Sequence, residues 1–216
     1  MLHQEKDIID AFPDVFEQYR FLVSKADFAF EEVERDHRDC VKCRTGCSDC
    51  CYAVFGVFIV EAVNLRFHFL QLEDPDRKAA LRRADKAERE LREVERKLSV
   101  FDDDPHVKSF ALAKERVRCP LLDQEDRCIV YDHRPITCRV YGMPTAIHGN
   151  AHVCGKAGFE KGKSYPVYKL DVAYKVLYRL SRELMRRLGR ENSEEKASLM
   201  LSVSNVISNQ IKELLG

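Results

Sequence analysis

Five cysteines fall within one short stretch, CVKCRTGCSDCC, which runs from Cys40 to Cys51. Thiolate is a ligand for zinc, Cu(I) and iron–sulfur clusters, so this density of cysteines predicts a metal site. On a straight helix the thiols would share one face but would spread over about 16 Å along the axis. Because a Zn–S bond is only about 2.3 Å long, the stretch can supply two or three ligands to one centre, or contribute to two centres. Unless the backbone reverses, further thiolates must come from elsewhere in the chain.

The remaining cysteines lie between Cys119 and Cys154. In CPLLDQEDRCIVYDHRPITCRVYG, the segments PLLD and RCIVY flank a polar QED link and predict a small β-hairpin. Pro135 predicts a short helix that would place Cys138 one turn from its N-terminus. The helix dipole, with Arg134 and Arg139 alongside, would then lower the thiol pKa and favour ligation. We expect both arginines to interact with thiolate sulfur in preference to ordinary surface ion pairs.

Two histidines, His133 and His152, are further candidate ligands near these cysteines. Imidazole is a common ligand of zinc and iron. An isolated histidine is nevertheless more often a surface or core residue, so the cysteines carry the metal hypothesis.

The charge of the chain is balanced, with 36 basic and 36 acidic residues and a formal net charge of +0. This balance gives no electrostatic reason to expect a nucleic acid or an anionic membrane as partner. The N-terminal sequence MLHQEKDIIDAF lacks the apolar region of a signal peptide, and the longest apolar run, 52–60, is too short to cross a bilayer. We therefore expect a cytoplasmic protein. Thiols stay reduced there, so the 9 cysteines indicate metal binding rather than disulfides.

Apolar residues at helical spacing predict that most of the remaining chain is α-helical. One helix is predicted from Asp10 to Asp36, and a highly charged one from Asp74 to Leu98 with a narrow apolar stripe. Glu61, which interrupts an apolar run, is interpreted as a helix-capping partner or a surface residue. Two long amphipathic helices, the second capped by Asn192 and Ser193, are predicted to end the chain as an antiparallel hairpin.

These elements predict a mostly α protein with a single domain over residues 1–216. We expect a helical domain with a small β-hairpin around a cysteine-rich metal core, followed by a C-terminal helical hairpin. The expected parts are the core at about 40–66 and 117–156, a charged helical insertion at about 74–98, and the hairpin at about 168–215.

The two cysteine-bearing stretches together resemble the YkgJ-like cysteine-cluster proteins, which are described as a zinc- or iron-chelating domain. A CxxxCxxCC block, a CPxL opening, a CxVYxxRPxxCRxY string and a late cysteine in HVCG occur in that order. The resemblance covers roughly residues 40–66 and 117–156, and Cys40 is additional to its pattern. The resemblance implies that the metal ligands are Cys43, Cys47, Cys50, Cys51, Cys119, Cys128, Cys138 and Cys154.

The same cysteine pattern resembles the cluster region of flagellin lysine N-methylases, which implies an iron–sulfur centre in this kind of domain. The methylase activity does not follow, because the chain is short for such an enzyme and has no glycine-rich loop after a strand to hold a nucleotide-like cofactor. No catalytic motif is identifiable.

The sequence therefore predicts a metal-binding protein that holds iron, as an iron–sulfur cluster, or zinc through cysteine thiolates. Three alternatives stay open at this point. They are an iron–sulfur-containing protein lysine methyltransferase, a purely structural zinc interaction module, and a thiol redox protein with one exposed thiol pair of low pKa.

Overall fold

A computed structural model describes residues 2–44, 46–147 and 149–215, and most of them are helical. The predicted fold class, mostly α with a small β-hairpin, is confirmed. The helices are α1 (Leu2–Ala11), α2 (Pro13–Asp36), α3 (Ile59–Leu70), α4 (Asp74–Leu98), α5 (Pro105–Leu112), α6 (Ile136–Val140), α7 (Leu170–Arg187), α8 (Ser193–Ser198), α9 (Val203–Ser208) and α10 (Ile211–Leu214).

The sheet has three very short strands, β1 (Thr145–Ile147), β2 (Asn150–His152) and β3 (Tyr168–Lys169), in the order β2-β1-β3. β1 is antiparallel to β2 and parallel to β3. The one regular hairpin among the described residues is thus β1–β2, which lies after the segment where the sequence predicts it.

The predicted hairpin over PLLD and RCIVY is reduced to a single bridge between Leu122 and Cys128. The carboxylate of Asp123 accepts hydrogen bonds from the backbone N–H groups of Glu125 (2.9 Å) and Arg127 (2.8 Å). A side chain that binds nearby N–H groups favours a tight local turn over a regular ladder.

The main hydrophobic core lies between α2 and α7, whose apolar residues recur at helical spacing. α2 buries Val15, Tyr19 and Ala26 on its inner face, and α7 contributes Leu177 and Leu184. Burying one such large side chain contributes about 1.5–3 kcal/mol, so this pair of helices is a stable support for the neighbouring site.

The charged helix α4 has the bounds that the sequence predicts, Asp74–Leu98. Its buried residues form one narrow stripe among charged neighbours: Ala80, Ala84, Ala87, Val94 and Leu98. Small alanine side chains allow close approach, and α4 packs against α9. Ala80 and Ala84 belong to a second hydrophobic core cluster with Leu65, Phe69 and Ile207, whereas the other three pack with Val117 in a third cluster. None of the described helices combines the length and apolar character needed to cross a lipid bilayer.

The prediction of one long helix after Asn192 is wrong. That segment is divided into α8, α9 and α10, and Leu201 lies in extended backbone between the first two. Leu201 exchanges two backbone hydrogen bonds with Val57, at 2.8 and 3.0 Å. This pairing with a distant residue outweighs the helical periodicity of the local sequence.

Candidate metal centre

The cysteine stretch that begins at Cys40 is not a continuous helix. Gly46 has a φ of +83°, a left-handed conformation that favours glycine, and the N–H of Cys47 donates to the carbonyl of Arg44 at 2.8 Å, which closes a turn. A single 3₁₀ turn, Asp49–Tyr52, follows. These turns replace the straight helix that would spread the thiols along one axis.

One cavity of about 810 Å³ lies between residues 43–51, here called the first wall, and residues 119–138, the second wall. All eight cysteines of the predicted ligand set line this cavity: Cys43, Cys47, Cys50, Cys51, Cys119, Cys128, Cys138 and Cys154. Cys40 is not among the described residues that line it, and its carbonyl accepts a hydrogen bond from the N–H of Gly158 (2.8 Å).

Backbone pairing holds the two walls together. The N–H of Cys119 donates to the carbonyl of Cys51 at 2.7 Å, and the N–H of Val117 donates to the carbonyl of Tyr52 at 3.0 Å. An antiparallel bridge between Ala53 and Arg116 extends the pairing. The structure therefore brings together cysteines that lie far apart in the sequence.

Glu61 joins the cysteine-bearing helix α6 to α3. Its buried carboxylate accepts hydrogen bonds from the N–H of Phe58 (3.1 Å), which caps α3, and from the N–H of Ile136 (2.9 Å), which begins α6. Burial raises the pKa of Glu61 to about 7, although both hydrogen bonds favour its ionised form. Of the two interpretations of Glu61, the capping partner is confirmed, and it also positions the helix that carries Cys138.

The predicted lowering of the Cys138 pKa is wrong. Burial raises this pKa well above its usual value, and negative charge on Cys50, Cys119 and Cys128 raises it further. α6 is only five residues long, so its dipole cannot offset the loss of water around the thiol. Burial likewise raises the pKa of Cys119, to about 12.

The vicinal cysteines Cys50 and Cys51 behave differently from each other. Their sulfur atoms are 4.0 Å apart. The hydrogen bond from the Cys51 thiol lowers the pKa of Cys50 to about 7, with help from the positive charge of Arg134. The same hydrogen bond and burial raise the pKa of Cys51. Cys50 is therefore the thiol of this pair that ionises first.

The two arginines beside Cys138 have different roles, and the prediction for Arg139 is wrong. The Arg139 guanidinium is bound to the carboxylate of Asp27 at 2.7 and 2.9 Å and to the backbone carbonyl of Arg134 at 2.8 Å. It anchors α6 to α2, and its hydrogen bonds go to Asp27 and to backbone carbonyls.

Arg134 instead faces the cavity. Its guanidinium lies over the ring of Tyr131 at 3.6 Å, and its buried Nε has no hydrogen-bond partner among the described residues. Its charge opposes the rise in pKa of three cavity thiols, those of Cys43, Cys128 and Cys138. This arrangement fits the expected interaction of Arg134 with thiolate sulfur.

Asp49 also lines the cavity, although the cysteine spacing gives no indication of it. Asp49 is 8% exposed. Its carboxylate accepts a hydrogen bond from the Cys154 thiol at 3.4 Å and binds Arg116 at 2.7 Å. Its position inside a run of cysteines, directly before Cys50, is the signal that could have identified it.

Gly142 permits the close approach of Cys43. A Cβ atom at position 142 would lie 2.1 Å from the Cys43 sulfur and 3.2 Å from the ring of Phe30. A side chain there would therefore displace the thiol. Cys43 as a whole residue is exposed, but its thiol is directed inward. There, burial and negative charge on Cys47, Cys50 and Cys154 raise the Cys43 pKa to about 12.

The two candidate histidines are placed away from the cavity. The ring of His133 stacks on that of His68 with centroids 3.3 Å apart. His152 lies exposed in β2. Neither is among the described residues that line the cavity.

The residues of the cavity fit a thiophilic metal. Soft thiolate donors are those that zinc and iron–sulfur clusters require, and a bound cation would offset the burial and mutual repulsion that raise the thiol pKa values. In the described part of the chain, no three His, Cys, Asp or Glu side chains already converge on a position that could hold one ion. Metal binding would therefore require the thiols to move together, which couples binding to local folding.

Comparisons with curated proteins and with solved structures found no match. A family model described as "CxxCxxCC: Putative zinc- or iron-chelating domain" matches residues 42–155, which is more than half of the chain. The matched range includes all eight cysteines that line the cavity and leaves out Cys40. The chain therefore belongs to the CxxCxxCC family of zinc- or iron-chelating domains, as the resemblance in its sequence predicts.

Proposed function

We propose that the chain is a cytoplasmic metal-binding protein that holds iron, as an iron–sulfur cluster, through the cysteines of both walls. The observation that carries the proposal is that eight cysteines line one cavity. Arg134 supports it, because a thiolate-bound centre is negatively charged and N–H donors to sulfur tune such centres.

Iron is proposed over zinc because of the number of thiols. One structural zinc ion takes about four ligands, which leaves half of the cavity thiols without a role. A cluster accompanied by further cysteines accommodates this surplus, whereas two zinc ions with four thiolates each would use the same eight thiols.

The test is anaerobic purification followed by elemental analysis and an absorption spectrum. Iron with acid-labile sulfide and a broad band near roughly 400 nm, from charge transfer between thiolate and iron, would support the proposal. Colourless anaerobic protein with about two zinc ions per chain would overturn the choice of iron in favour of two closed Cys₄ sites. Aerobic material is not a fair control, because oxygen destroys clusters and zinc then replaces them.

A further inference from the structure

Seven of the eight cavity thiols fall into two sets with different surroundings. The deep set is Cys51, Cys119, Cys128 and Cys138, and the rim set is Cys43, Cys47 and Cys154 together with the carboxylate of Asp49. Cys50 lies between the two sets.

Apolar packing surrounds the deep set. Cys119 and Cys128 pack against the second hydrophobic core cluster. Cys138 lies in α6 between Ile136 and Val140, both of which are fully buried. Cys51 joins this group through its backbone hydrogen bond with Cys119. A centre held there would be surrounded by apolar packing and would have sulfur ligands alone.

The rim set lies on irregular segments and has mixed donor atoms. Cys43 and Cys47 stand in a stretch without a helix or strand, and Cys154 lies in the loop after β2. One oxygen of Asp49 faces the Cys154 sulfur at 3.4 Å. Arg116, at 2.7 Å, and Lys156, at 4.0 Å, bind the other oxygen of Asp49, so the oxygen beside Cys154 can serve as a donor atom together with that thiol.

We propose that the cavity holds two centres, a resident centre in the deep set and an exchangeable divalent transition-metal ion in the rim set. This division rests on the proposed metal-binding function and adds which thiols act together. Three thiolates and one carboxylate would give zinc or ferrous iron a four-coordinate shell once these side chains move together around the ion. The rim thiols lie on irregular segments that can move without disrupting the core, so a chelator can take up their ion early. The deep centre is released only when the apolar packing around it opens.

The experiment measures metal release from the anaerobically purified full chain after incubation with zinc and removal of the excess. Excess EDTA is added, and the metal that stays with the protein is counted over time. The wild type should lose about one ion per chain, the content of a single four-coordinate site, in an early phase and keep the deep metal much longer. The double variant Cys43→Ser/Cys154→Ser should lack the early phase while it keeps the deep metal for as long as the wild type does. Cys40→Ser, outside the cavity, should show both phases.

A second measurement avoids dependence on the folding of any variant. The wild type is treated briefly with EDTA and then alkylated with N-ethylmaleimide, and the modified cysteines are mapped by mass spectrometry. The rim thiols should be labelled and the deep thiols protected.

The outcomes separate this inference from the proposed function. Release of all metal in one phase, or labelling of both sets together, would overturn the division while metal binding stands. A wild type that holds no metal, either as purified or after zinc incubation, would overturn the proposed function itself. Loss of the deep metal in the rim variant would also contradict two separate centres.

Discussion

The two walls of the cavity differ in what holds them in place. The second wall contains a turn and a short helix whose apolar side chains are buried in the core: Leu121, Leu122, Val130, Ile136 and Val140. The first wall has no buried apolar residue among its described residues and no regular element before the 3₁₀ turn at Asp49–Tyr52. The second wall is therefore built by apolar burial, whereas the first depends on its pairing with the second wall and on the metal that we propose between them.

Removal of the metal should have the largest effect on stability and should affect the two walls differently. A structural metal contributes roughly 10 kcal/mol or more of apparent binding free energy in small domains. After chelation, the melting temperature should fall and the first wall should lose amide-exchange protection, while α2 and α7 keep much of theirs. Hydrogen exchange with mass spectrometry measures this directly. An unchanged melting profile after complete chelation would contradict the dependence on metal.

Single cysteine variants test whether both walls contribute ligands. Cys128→Ser and Cys138→Ser should each lower the metal content, as Cys47→Ser does, because each removes a thiolate ligand from one of the two proposed centres. Elemental analysis and thermal melting measure the effect, with Cys40→Ser as the matched control. Unaltered metal content and stability in both second-wall variants would refute a site shared between the walls.

Glu61 provides a pH-dependent test of how the second wall is positioned. Its pKa is raised from 4.5 to about 7, so its protonated form favours the folded state. This contribution, on the order of 3 kcal/mol for such a shift, is fully present below pH 4.5 and is lost as pH rises through about 7. The quantity to measure is the difference in the free energy of unfolding between the wild type and Glu61→Gln at equal metal loading. This stability advantage of the wild type should fall as the pH rises from 4.5 through about 7. A pH-independent difference would show that the carboxyl does not titrate in the folded protein.

Substitutions of Arg134 and Arg139 should have the smallest effects and should separate a role at the metal centre from a role in the fold. Arg139→Gln should destabilise the fold by about 2 kcal/mol, because Arg139 is a buried partner of Asp27. Arg134→Gln should change stability less but should alter the absorption spectrum or reduction potential of the metal centre. Chemical denaturation and redox titration of both variants measure the contrast. A spectral change in Arg139→Gln alone would reverse the assigned roles.

Local patterns in the sequence predicted the features that local physics determines. The charged helix α4 has the predicted bounds because its narrow apolar stripe and helix-forming residues agree over its whole length. The cysteine spacing was sufficient to identify the family, and the same eight residues line one cavity.

Three of the wrong predictions involve partners distant in sequence, whereas the hairpin predicted over PLLD and RCIVY is reduced by the local turn at Asp123. Leu201 pairs with Val57 and interrupts a helix that periodicity alone would continue. Arg139 is drawn to Asp27, which precedes it by 112 residues, and burial by distant segments raises the pKa of Cys138. Neighbouring residues in the sequence contain no signal for such contacts.

Residues 202–204 also line the cavity, and they are synthesised after all of its cysteines. A ribosome adds roughly 5–20 residues per second, so all eight cavity cysteines are made a few seconds before this segment. During that interval the nascent chain has its full complement of thiols but lacks the pairing of Leu201 with Val57 that holds the segment in place. Metal that arrives then meets a more open cavity than it would in the finished protein, and completion of the chain encloses it.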